Sequence, residues 1–276
     1  EKLFTGFEEA NCTVFRLHLE PAWTNDNSFT YVNGKDQPES EAKGEADIRH
    51  FNPNRLRTYL SSLYFPLMQK AINHRQYVVV RPPGVCPHNL KVGDYYQKYL
   101  LDVWDIVSKN VNIKKYSGQI SLELANEPVN VRNADNQDDA KALHDYFQPI
   151  VDKIRENGFT GIIWIPGTGY QSNYRSYASY PIEGYDIGYA VHDYPGWYNC
   201  SDDNPNPTNK INSFHAAVPV VDTNPVIITE VDWSPEKEPK TPKKDSDGNI
   251  QYNEFGQIQY ENLGTWATGS TKLRSE

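Results

Sequence analysis

The feature that most constrains this chain is a recurrence of short apolar runs, each cut off by polar or aromatic residues. The runs fall at residues 12–19, 77–80, 120–125, 161–165, 187–191, 226–229 and 263–266. Strands of that composition are buried on both faces, which requires a parallel sheet covered by helices. The segments between them supply the helices. Leu3, Phe4 and Phe7 form the tail of a first one. Asn52-Pro53 is a helix start with proline at the first helical position, and Leu56, Leu60, Leu63, Leu67 and Ala71 follow on one face. Pro66 is expected to kink or end that helix early. Leu100, Val103, Val107 and Val111 mark a helix over residues 94–110. Leu143, Phe147, Ile150, Val151 and Ile154 mark another after Asp138, with Gly158 as its stop. Residues 208–218 read as a weaker helix. Residues 24–50 read as a long polar loop with a hairpin near Asn33-Gly34. No composition shift marks a linker, so residues 1–276 are expected to form one domain with a polar insertion at about 237–261.

Two α/β architectures compete for such a pattern. A doubly wound sheet binds its ligand at one switch point, and its phosphate-binding versions carry a glycine-rich first turn. Here polar and aromatic residues follow strand after strand instead: Arg16 with Trp23, Arg81, Asn126 with Glu127, Tyr170, His192 with Tyr194, Glu230 with Trp233, and Trp266. Chemistry spread over the carboxyl ends of many strands is the habit of a (β/α)8 TIM barrel. Seven strands are one short of eight, so the expectation is a barrel whose first strand and last helix lie outside this chain.

Net charge is −9, which argues against nucleic acid or an anionic membrane as partner, because both need a basic footprint. No run of eighteen apolar residues is present to span a bilayer. Tyrosine is abundant, at 19 residues, with 6 tryptophans; such side chains offer a flat apolar face with a polar tip, which suits sugar rings as well as cores. Cys12, Cys86 and Cys200 make no disulfide framework; three free thiols are favoured over a single Cys86–Cys200 bridge. His18 reads as a satisfied core or rim histidine, Trp104 as packing on a helix, and Trp164 as core. Asp245-Ser246-Asp247-Gly248-Asn249 begins like a calcium loop, but its glycine comes too early and Glu254 misses the twelfth position. A hairpin turn is expected there, and neither metal nor cofactor.

The chemistry concentrates at two strand ends. Leu122-Glu123-Leu124-Ala125-Asn126-Glu127-Pro128 closes one apolar run, and Pro225-Val226-Ile227-Ile228-Thr229 ends in Glu230. A lone glutamate at a strand end is commonly a salt-bridge partner. Two of them, three β/α units apart and flanked by Asn, His and Tyr, are the minimum equipment for glycosidic hydrolysis. One must be ionised to attack and the other protonated to donate, so their surroundings have to split their pKa values.

With Asn126-Glu127-Pro128 at the fourth barrel strand, His192-Asp193-Tyr194 at the sixth, Glu230 at the seventh and Trp266 at the eighth, the chain resembles glycoside hydrolase family 5 over roughly residues 1–270. That family holds retaining endo-glycanases. The resemblance implies Glu127 as acid/base, Glu230 as nucleophile and Asn126 on the sugar 2-hydroxyl. It further implies His192 and Tyr194 orienting the carboxylates, Arg16 keeping Glu230 ionised, and Trp266 as the floor under the sugar. Trp23, Tyr170, Trp197, Tyr198 and Trp233, in loops after strands, suit a sugar-stacking groove as a set. One departure stands out: the family's histidine after the third strand is replaced by Arg81-Pro82-Pro83-Gly84, with His88 a few residues on. The expected activity is internal cleavage of β-1,4 bonds in a cellulose-like or mixed-linkage β-glucan. An endo-mannanase or xyloglucanase on the same barrel is the alternative, and a non-catalytic carbohydrate-binding barrel the second. A secreted monomer is expected.

Overall fold

The computed structural model describes residues 2–26, 50–84, 86–194, 197–200, 206–231, 242–252 and 258–259. The chain separates into two compact units, Glu1–Val191 with Val218–Thr229, and His192–Ala217 with Glu230–Glu276.

Eight strands are described: β1 Val14–His18, β2 Tyr77–Arg81, β3 Asn89–Lys91, β4 Ile120–Glu123, β5 Asn130–Arg132, β6 Ile163–Pro166, β7 Ile187–Asp193 and β8 Val226–Val231. Six form one sheet in the order β1-β2-β4-β6-β7-β8, while β3 and β5 pair separately as a short parallel ribbon beyond the ends of β2 and β4. Among the described strands the order rises without reversal, so each crossover winds the same way with no switch point. The pairs β1–β2, β2–β4, β4–β6 and β6–β7 are parallel. Single winding in one direction is the topology of the (β/α)8 barrel, and that is the fold class of this chain. The run at 263–266 lies outside the described residues.

Side-chain contacts within the first unit show the sheet bending round an interior. Val79 of β2, Trp164 of β6 and Ala190 of β7 form one cluster, with Ile227 of β8 packed on it. In a flat sheet β4 and β8, three places apart, would be separated by about 14 Å. Instead Thr229 Oγ1 of β8 donates to Glu123 Oε1 of β4 at 2.9 Å. Alternate residues point outward to the helices: Val78, Val80, Leu122, Ile163 and Ile165 are buried there. Gly188 leaves room for the Trp164 indole, since a Cβ on it would lie 2.3 Å from Trp164 Cζ3.

The helices follow the sequence closely, with one instructive difference. Asn52 caps the helix Pro53–Tyr59 by accepting from the Asn54 and Arg55 N–H groups. Pro66 does not end it. A π-turn at Leu60–Tyr64 intervenes, the Phe65 N–H reaching back to Leu60 O, and the helix resumes as Phe65–Asn73. Proline sits in the first turn of that resumed segment, where a missing N–H costs little. Helices Tyr95–Lys109 and Ala142–Glu156 pack against each other. Trp104 is fully buried in the former, its Nε1 donating to Leu124 O at 2.9 Å. Among the described residues no helix is long and apolar enough to cross a membrane.

In the second unit, helix Pro207–Ala217 packs Phe214 against Tyr198, and Lys210 pairs with Asp193 at 2.9 Å. Residues 242–252 make a hairpin turn with an antiparallel Lys244–Ile250 bridge. There the Asp245 carboxylate accepts the Asp247 and Asn249 N–H groups, both at 2.9 Å, and these hold its pKa below the usual carboxylate range. All three cysteines are free, Cys12 exposed and Cys86 and Cys200 buried. The Asn33-Gly34 hairpin falls outside the described residues.

Candidate active site

The first unit builds a polar cluster where β4 runs out. Asn126 is buried, and its carbonyl accepts the Cys86 N–H at 2.8 Å. Its Oδ1 accepts from Arg16 Nη2 at 2.9 Å. Glu127 follows in the left-handed region, φ 59°, a conformation unusual for a side chain with a Cβ. The next two carbonyls, Pro128 and Val129, each accept at 3.0 Å from the N–H groups of Tyr170 and Gly169 in the loop after β6. That loop is itself left-handed at three consecutive residues, Gly169, Tyr170 and Gln171.

The Arg16 guanidinium lies on β1 facing the interior, and Glu123 and Asn126 are among its partners there. Nε donates to Glu123 Oε2 at 2.7 Å and Nη2 to Glu123 Oε1 at 3.0 Å, a bidentate pair with the carboxylate fully buried. The register explains the pairing: β1 and β4 flank β2, and Arg16 and Glu123 both point inward, toward each other across it. Gln171 Nε2 and Thr229 Oγ1 also donate to Glu123 Oε1, at 3.1 and 2.9 Å.

Sequence reading missed Glu123, Gln171 and Thr229. Glu123 was hidden inside an apolar run, although Ser121 and Glu123 two residues apart were a period-two signal for one inward face. Nothing in the sequence marks Gln171 except its place just after Gly169.

After β2, where the family's histidine would stand, the turn 82–84 is closed by Arg81 Nη1 on Gly84 O at 2.7 Å and by the Gly84 N–H on His18 Nε2 at 2.9 Å. His18 is thus a half-buried acceptor that shapes this turn. His88 is exposed, its ring edge-on to Tyr170 at 6.0 Å. Trp23 is 43% exposed and rests against Tyr59 with ring centroids 5.0 Å apart.

The second unit carries Glu230. Tyr194 Oη donates to Glu230 Oε2 at 2.7 Å, and His192 Nδ1 lies 3.6 Å from the same oxygen. His192 is fully buried, whereas the Glu230 side chain keeps a quarter of its surface open. Trp197 packs on Tyr194 at 5.0 Å. A phenol donating to one oxygen of a carboxylate fixes the orientation of the group. Trp233 and Trp266 lie outside the described residues.

A family model described as Cellulase (glycosyl hydrolase family 5) matches residues 68–266. Among solved structures, a beta-glucanase from Saccharophagus degradans is 20% identical with a TM-score of 0.53, over 69% of this chain and 56% of its own. The structure of XacCel5A with cellopentaose is 16% identical, TM-score 0.53, over 90% and 86% of the two chains. An endocellulase from Pyrococcus horikoshii crystallised with cellotetraose is 15% identical, TM-score 0.58, over 87% and 71%. No curated protein sequence matches significantly.

Proposed function

We propose, since this chain belongs to glycosyl hydrolase family 5, that it is a retaining endo-β-1,4-glucanase acting on a cellulose-like or mixed-linkage β-glucan. The observation that carries the reading is positional. Glu127 follows β4 and Glu230 stands near the end of β8, both at carboxyl ends of strands in one singly wound sheet, where barrels keep their chemistry. The cello-oligosaccharides bound by two of the similar structures support the substrate class.

In this mechanism Glu230 attacks the anomeric carbon while Glu127 gives its proton to the departing glycosidic oxygen. The glycosyl–Glu230 ester is then opened by water, whose proton returns to Glu127. Retention of configuration requires the two carboxyls to stand about 5–5.5 Å apart across the scissile bond. The phenol of Tyr194 orients the Glu230 carboxylate for attack. Asn126, fixed by Arg16, presents its amide N–H₂ to the 2-hydroxyl. Exposed Trp23 and Tyr170 serve as stacking surfaces for sugar rings. A polymeric substrate of this kind goes with a secreted, monomeric enzyme.

Glu230→Gln is expected to lower kcat by about 10³-fold or more while cello-oligosaccharide affinity is kept, and wild-type kcat/KM should follow a bell-shaped pH profile with an acidic to neutral optimum. Product analysis on a panel of β-glucans, mannan and xyloglucan decides the substrate. Turnover by Glu230→Gln, or a wild-type rate flat from about pH 4 to 9, overturns the reading.

A further inference from the structure

We infer that Gln171 is the positioning residue of Glu127: its side-chain amide sets the backbone from which the proton donor projects. This rests on the acid/base role proposed for Glu127.

Three hydrogen bonds define the arrangement. Gln171 Oε1 accepts the Glu127 N–H at 2.7 Å, and Gln171 Nε2 donates to Glu123 Oε1 at 3.1 Å and to Ala190 O at 3.0 Å. Only one orientation of the amide satisfies all three, because a flip would set its oxygen against two acceptors and its nitrogen against a donor. The side chain is fully buried. It therefore ties together the end of β4, the interior carboxylate of that strand, and β7.

Backbone conformation gives this tie its consequence. Glu127 and Gln171 both hold a left-handed φ, 59° and 60°. A non-glycine residue there carries strain that its surroundings must offset. Elsewhere in the segment the carbonyls of Asn126, Pro128 and Val129 are held by other backbone groups. At Glu127 itself the N–H is held by the Gln171 side chain. Without that acceptor the Glu127 peptide can rotate toward an unstrained conformation, which swings the carboxyl away from the glycosidic oxygen. A misplacement of about 1 Å costs on the order of a hundredfold in rate.

The readout that separates positioning from general structural support is dependence on the leaving group. A dinitrophenolate leaves without a proton, whereas methylumbelliferone needs more help and a sugar alkoxide needs it most. In Gln171→Met, kcat/KM on the methylumbelliferyl cellobioside and on cello-oligosaccharides should fall about thirtyfold or more, and on the dinitrophenyl cellobioside less than about threefold. Equal losses on all three substrates, or no loss, overturn the inference. A measurement on the wild-type protein needs no variant: amide exchange at Glu127 should be slow, and exchange at the rate of an open loop overturns it as well. Glu127→Ala, run alongside, tests the underlying reading. If that variant keeps full activity on poor leaving groups, the role of Glu127 is refuted, whereas a strong loss there with an unaffected Gln171→Met refutes only the positioning.

Discussion

Cys86 shows how far burial can move a single group. Its thiol is enclosed, donates to Tyr96 Oη at 3.6 Å, and is pushed up to about 12 by loss of solvation. In the unfolded chain it would titrate near 9.0. Between those values the unfolded state has released a proton that the native state keeps, so raising the pH pulls the equilibrium toward unfolding. The contribution is fully present below the lower value and is lost as pH climbs through the interval, by at most about 1.4 kcal/mol per pH unit. Urea unfolding at stepped alkaline pH should therefore show a shallower decline for Cys86→Ala than for wild type. Buried tyrosines such as Tyr189, also raised to about 12, act in the same direction in both proteins and cancel in the comparison. An identical slope for the two would show that Cys86 titrates alike folded and unfolded.

At the scale of elements, one buried carboxylate does the joining. Glu123 on β4 takes two hydrogen bonds from Arg16 on β1, one from Thr229 on β8 and one from Gln171 after β6. An ion inside a sheet is tolerated only when its charge is compensated and its lone pairs are occupied, and here both hold. Removing the cation alone strands the charge. Arg16→Met should cost about 3–5 kcal/mol of unfolding free energy, and pairing it with Glu123→Gln should return much of that. Denaturant midpoints of Arg16→Met, Glu123→Gln and the double variant check it; additive losses would mean the pair is not coupled.

For the whole molecule, the winding of six strands in chain order makes an interior, and the interior has to be filled without excess. Trp164 and Gly188 are neighbours in register on β6 and β7. The indole lies over the glycine, so an added methyl would sit 2.6 Å from Cε3 as well as against Cζ3. Gly188→Ala should destabilise by about 1–3 kcal/mol, and Trp164→Leu in the same chain should relieve part of it. A neutral Gly188→Ala would mean the interior has slack that the packing does not show.

The alternation of apolar runs and helical stripes, and the strand-end placement of Asn126, Glu127, His192, Tyr194 and Glu230, were legible in the residues alone. Such patterns are local: burial on both faces demands an apolar run, and a polar residue marks where burial stops. The pairing of Arg16 with the interior Glu123, the π-turn that admits Pro66 and the grip of Gln171 on Glu127 were decided only by tertiary structure. Each depends on which strands become neighbours and which side chains turn inward together, and a hydrogen bond between residues 16 and 123 leaves no mark on either stretch of sequence.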